Sequence, residues 1–264
     1  MSYLLFDLGA TNLRMAAVSE ADWSKGELGE KKMVAHSGGT EPTLTIMQQL
    51  MEELKPADGY SLMAGGITRK LSALVPELTQ AAGRPLYLEN DAALVGLGEA
   101  LTGAGRGHGI VAYVTVSSGV GGVRIVDGMI DRKAVGFEPG YQVINYDGEP
   151  KVLEQIVSGF GIKERLGKDP STIEDDKFWL EMSQVLAYGL YNMILHWSPE
   201  VVVVGGAMMG SPGIILGEVK KTLADINRLP SLPEIVPAEL GEWGGLHGAA
   251  AYLRHELEDQ VEEE

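Results

Sequence analysis

Two aspartates stand at the ends of short apolar runs, where a strand hands over to a turn or a helix. Asp7 closes "YLLFDLG" and Asp91 closes "PLYLEND". Asp91 has two readings. Asn and Asp are ordinary helix N-caps, because their side-chain oxygens accept the orphan N–H groups of a first turn. α/β folds also place functional groups at the carboxyl ends of strands, where a carboxylate can act as general base. The alanine- and leucine-rich helical pattern after Asp91 suits both. Asp7 lies beside a tight turn, Gly9-Ala10-Thr11, whose small residues and backbone N–H groups can cradle a phosphate. A carboxylate next to phosphates can hold Mg²⁺ through water. The plainer alternative is a hairpin turn.

A second glycine-rich turn lies in "VTVSSGVGGVRI", residues 114–125. It offers the hydroxyls of Ser117 and Ser118 and the exposed backbone of Gly119, Gly121 and Gly122. Paired with the first, it reads as two hairpin turns gripping one polyphosphate from opposite sides. A third feature is "VVVVGGAMMG", a buried central strand followed by Gly205 and Gly206, against which a flat group can lie. A plain strand and turn would give the same letters. The first turn is neither a Walker loop nor a G-x-G-x-x-G fingerprint, which disfavours a dinucleotide fold.

The elements that must position these groups come in two rounds. Residues 1–106 read as β-β-β-α-β-α-β-α, opening with a hairpin. Residues 107–246 open with a second hairpin and again alternate helix and strand, with a long helix near 175–198. A final helix, 247–262, is expected to join the first half. The pattern predicts an α/β fold with a duplicated sheet-plus-helices core in two domains, 1–106 and 107–246, although the two halves are not similar in sequence.

Composition narrows the function. The 264 residues carry 37 acids against 21 bases, a formal net charge of −16, with no clustered Lys and Arg. Phosphate-backbone binding draws on such clusters, so no nucleic-acid partner is expected. No apolar run approaches the ~18 residues of a membrane span, and the N-terminus makes a poor signal peptide. A cytoplasmic location fits. With no cysteine there is no disulfide and no thiolate metal site. The 35 glycines gather in knots beside apolar runs, which points to a cleft lined by backbone turns.

Taken in order, the motifs resemble the hexokinase–actin superfamily, with its two-domain, ribonuclease H-like fold. "LENDAALVGLGEA", "FEPGY", "VLEQIVSG" and "GLHGAAAYL" are similar to consecutive segments of the ROK family of sugar kinases and repressors. The resemblance implies ATP and Mg²⁺ as cofactors and a small-molecule sugar, a hexose or N-acetylhexosamine, as phosphoryl acceptor. It implies a homodimer. Asp7 would organise Mg²⁺. Gly9, Ala10, Thr11 and Asn12, with Ser117, Ser118, Gly119, Gly121 and Gly122, would hold the ATP phosphates. Gly205 and Gly206 would face the adenosine. Asn90, Asp91, Glu138 and Glu154 would hold sugar hydroxyls, with Asp91 as general base.

The departures from that pattern matter too. Ala10 stands where the family has glycine, Asn12 where many members have lysine, and Ser117 replaces a loop glycine. The family's structural zinc ligands are missing together, with Tyr141 in the histidine position beside the sugar, so no zinc site is expected and packing in 141–152 must substitute. The insert that usually follows "MAGGIT" is short, leaving Gly65 and Gly66 to line the sugar wall. The five histidines are scattered and read as structural. Two rival functions stand beside a kinase: a non-catalytic sugar-binding pseudokinase, and a non-sugar kinase or ATPase of the same superfamily. A DNA-binding repressor is disfavoured, because the first strand starts near residue 3 and the charge is acidic.

Overall fold

The computed structural model describes residues 2–37, 39–56, 58–131, 134–146 and 149–262. In chain order it holds β1 (Ser2–Leu8), β2 (Asn12–Ser19), α1 (Glu20–Lys25), β3 (Lys31–Ala35), α2 (Thr40–Glu53), β4 (Leu62–Ile67), α3 (Val75–Ala82), β5 (Leu86–Asn90) and α4 (Asp91–Thr102). These are followed by β6 (Ile110–Val116), β7 (Val120–Val126), β8 (Met129–Ile130), β9 (Val143–Tyr146), β10 (Glu149–Val152), α5 (Leu153–Val157), α6 (Gly159–Leu166), α7 (Asp176–Trp197), β11 (Val201–Gly205), α8 (Leu216–Ile226), β12 (Glu234–Pro237) and α9 (Gly244–Glu262). The chain divides into two compact units, one of Met1–Thr102 with Leu240–Glu264, the other of Gly103–Glu239.

Each unit is built on a five-stranded sheet. In the first the order is β3-β2-β1-β4-β5, with β1 antiparallel to β2 and parallel to β4. In the second it is β8-β7-β6-β11-β12, with β6 antiparallel to β7 and parallel to β11. The two orders are the same when each opening hairpin is aligned on the other. The duplication read from element order is therefore present as strand topology, without matching residues. The central strands explain themselves: Val201–Val204 are all buried, as a parallel strand covered on both faces requires. Leu4, Phe6, Met15, Met47, Met63 and Leu74 form the core of the first unit. Val114, Leu153, Trp179, Leu186, Val202 and Leu223 belong to that of the second. Among the described residues no helix is long and apolar enough to cross a membrane.

Two local features set up the chemistry. The first is the crossing of α4 and α9. A methyl group on Gly248 would lie 1.7 Å from the Leu94 carbonyl oxygen, and one on Gly98 would lie 2.7 Å from that of Gly244. Glycine at both positions lets the two backbones touch. The buried Glu99 carboxylate accepts the Leu240 N–H at 2.8 Å, so the chain entering α9 is fixed to α4. The second is the approach to β5. A 3₁₀ turn, Arg69–Leu74, runs into α3, and Pro76 sits in the first helical turn, where a missing N–H is harmless.

Candidate active site

In the first unit Asn90, not Asp91, is the helix cap. Its Oδ1 accepts the Ala93 N–H at 3.1 Å. Asp91 is the first residue of α4, where the adjacent backbone N–H groups and the Thr68 hydroxyl favour its ionised form. Burial nevertheless pushes its pKa up to about 6, against these donors and the nearby charge of Arg14. Gly66 of β4 makes room for it: a Cβ there would lie 2.9 Å from the Asp91 Cα.

Asp7 lies close enough to feel Asp91. It is 5% exposed at the end of β1. Burial raises its pKa to about 7; Arg14 pulls the other way, and Asp91 and Glu242 add to the rise. Arg14 faces Asp7 across the β1–β2 ladder and places Nη1 3.3 Å from Asp7 Oδ2. Its Nη2 pairs with Glu242, in the turn Gly241–Trp243 ahead of α9. Arg14 Nε is buried with no hydrogen-bond partner among the described residues. Gly245 closes the cluster, because a Cβ there would lie 2.5 Å from Asp7 Cγ.

Asp7 and Glu242 thus pair with one guanidinium, Asp91 lies within reach of its charge, and burial raises the pKa of Asp7 to about 7 and that of Asp91 to about 6. Such a cluster has an excess of hard oxygen donors and suits Mg²⁺. Among the described residues no three His, Cys, Asp or Glu side chains are grouped to hold a metal by themselves. The adjoining turn is closed by Gly9 N–H to Asn12 C=O, 3.0 Å, with Thr11 exposed at its tip.

The second unit assembles the other expected residues around the Ser117–Gly119 turn. Ser117 N–H bonds Gly119 C=O at 2.8 Å. Gly159 and Phe160, at the start of α6, donate to the carbonyls of Ser117 and Ser118 at 2.8 and 3.1 Å. Glu154 Oε2 accepts the Val120 N–H at 2.8 Å, and a Cβ on Gly119 would lie 2.5 Å from that oxygen. Glu154 therefore braces the glycine turn. Glu138 is exposed, just ahead of the 3₁₀ turn Pro139–Tyr141, and Tyr141 is exposed as well. Gln142 fastens this segment: Nε2 donates to Pro139 C=O at 2.8 Å, Oε1 accepts from Asn192 at 3.2 Å, and its carbonyl takes the Leu153 N–H at 3.0 Å.

Several glycines have packing reasons for their missing side chains. Gly65 is buried against Phe6. Gly122 lies under Pro139 and Trp197, and Gly205 lies against Ala238 and Tyr113. Gly206 adopts φ +100° with Val116 C=O 2.3 Å from where a Cβ would be. Gly121 pairs with Thr115 in the β6–β7 ladder. Sequence reasoning missed Arg14, Thr68, Glu242 and Gly245. Arg14 lies in β2 just after the glycine turn, and a lone arginine in a strand reads as a solvated face.

Comparison with known proteins places this geometry. The ROK family profile matches residues 56–256. The chain belongs to the ROK family. A glucokinase of Thermotoga maritima is 26% identical over 224 residues, covering 70% of each chain. The ROK hexokinase of Thermus thermophilus superposes with a TM-score of 0.76 at 23% identity, covering 98% of this chain and 100% of that one. The ROK family glucokinase of Streptomyces griseus, in complex with glucose and AMPPNP, gives 0.77 at 19% identity, covering 97% and 100%. These two likenesses establish the actin-like, hexokinase-type fold of this ROK chain.

Proposed function

We propose that this protein is an ATP-dependent kinase of a hexose or N-acetylhexosamine, with Asp91 as general base. The observation that carries the proposal is the state of Asp91. It is a carboxylate freed from capping by Asn90, with its pKa raised by burial to about 6. A base acting near neutral pH needs such a value, ionised at the working pH yet basic enough to accept a hydroxyl proton. Membership of the ROK family and the sugar kinases among its relatives support the reading.

Phosphoryl transfer asks a protein for alignment and charge stabilisation more than for covalent chemistry. In this proposal the hydroxyl of the sugar gives its proton to Asp91 as the new O–P bond forms and the bond to the nucleotide breaks. Glu138 and Glu154 accept sugar hydroxyls, and Asn90 fixes the sugar beside the base. The Gly9–Asn12 and Ser117–Gly122 turns take the phosphates, and Gly205 and Gly206 take the adenosine. Asp7 would hold Mg²⁺, which when bound offsets phosphate charge. A coupled assay of ADP release over hexoses, N-acetylhexosamines and their epimers tests the proposal. Turnover with a sugar supports it. Turnover with carboxylic acids alone, or sugar binding without ADP release, would refute it in favour of the non-sugar kinase or the pseudokinase alternative.

A further inference from the structure

The Gly9–Asn12 turn is gripped from behind by a residue that the reaction itself does not call for. His36 follows the last residue of β3, whose register pairs Ala35 with Asn12. Its backbone N–H donates to Thr11 C=O at 2.9 Å. Its ring Nε2 lies 3.0 Å from Gly9 C=O. A carbonyl only accepts, so Nε2 carries the proton. Nδ1 is 3.4 Å from the hydroxyl of Thr43, a buried residue of α2. The imidazole thus joins α2 to the turn.

In a trans peptide the C=O and the following N–H point in opposite directions. Holding the Gly9 carbonyl toward His36 therefore aims the Ala10 N–H away from it. Holding the Thr11 carbonyl aims the Asn12 N–H away in the same manner. Two amide donors are in this way fixed to one side of the turn, the arrangement by which successive N–H groups bind an anion.

We infer that His36 is a positioning residue for the phosphate-binding turn, setting nucleotide affinity without touching nucleotide. This rests on the kinase reading above. Replacing the side chain by alanine removes the grip on Gly9 and leaves the backbone bond to Thr11. His36→Gln returns a donor close to the Nε2 position.

The test compares wild type, His36→Ala and His36→Gln in two measurements. Hydrogen exchange reads the amides of residues 9–12 in the ligand-free chain. Calorimetry reads MgADP and sugar binding separately. Loss of one hydrogen bond predicts exchange and MgADP dissociation constants about 3- to 10-fold higher in His36→Ala. Sugar affinity should stay unchanged, and His36→Gln should recover most of the loss. Unchanged exchange and MgADP affinity in His36→Ala would overturn the inference. So would equal losses for MgADP and sugar, or no recovery in His36→Gln. A wild-type chain that bound no MgADP would refute the kinase reading instead, and the exchange comparison would still decide whether His36 holds the turn.

Discussion

Replacing Asp91 by asparagine should make the protein more stable, and the size and pH dependence of the gain follow from the site. Burial raises the Asp91 pKa from about 4, its usual position, to about 6. Each tenfold change in the ionisation constant corresponds to ~1.4 kcal/mol. Holding the ionised carboxylate in the fold therefore costs about 3 kcal/mol. The sign is fixed by proton counting. Between pH 4 and 6 the folded chain binds more protons at Asp91 than the unfolded chain, so stability falls as pH rises through this window. Below pH 4 the cost is absent, and above pH 6 it is complete. Asparagine keeps an oxygen for the Ala92 and Thr68 donors and carries no charge. It also relieves Asp7, whose ionisation Asp91 opposes. We expect Asp91→Asn to gain about 1–3 kcal/mol at pH 8 and little at pH 4. Urea unfolding followed through the four tryptophans, at one-unit intervals between those limits, measures it. A variant less stable than wild type at pH 8, or a difference that does not change with pH, would refute the reasoning.

Three further outcomes follow from the same cluster. With saturating substrates, turnover should rise with pH through about 6, falling roughly tenfold per unit below it, because Asp91 must be ionised to accept a proton; a flat profile from pH 5 to 8 would contradict this. Arg14→Met removes the guanidinium that pairs with Asp7 and Glu242 and should lower stability by about 1–3 kcal/mol at pH 8, read by the same unfolding assay. Gly245→Ala drives a methyl group into Asp7 and should lower stability by about 1–3 kcal/mol and nucleotide affinity with it, whereas Gly217→Ala, in open space on α8, should lower neither.

What the sequence made legible follows the range of the interactions. The strand-turn-strand openings, the helix after Asp91 and the Val201–Val204 strand rest on local periodicity, and the structure contains them as read. The six-residue helix α1 was not anticipated. Its signal was present, Ser19 capping Asp22 N–H and Asp22 returning to Ser19, but so short a helix gives no hydrophobic period. Which of Asn90 and Asp91 would cap was undecidable from letters alone, since either side chain fits; in the structure the Ala93 N–H bonds Asn90. Glu242 and Gly245 meet Asp7 only because α9 returns across α4 on glycine contacts, a closure spanning more than two hundred residues that no local pattern announces. His36 read as structural; it bonds Gly9 and Thr11, in the turn that the kinase reading assigns to phosphate.

The central claim is that Asp91 takes the proton of a sugar hydroxyl. The most direct measurement is the turnover number of Asp91→Asn at saturating ATP and sugar, together with its sugar dissociation constant. The account predicts turnover at least ~10²-fold below wild type with sugar affinity nearly unchanged. Near-normal turnover in that variant would contradict it.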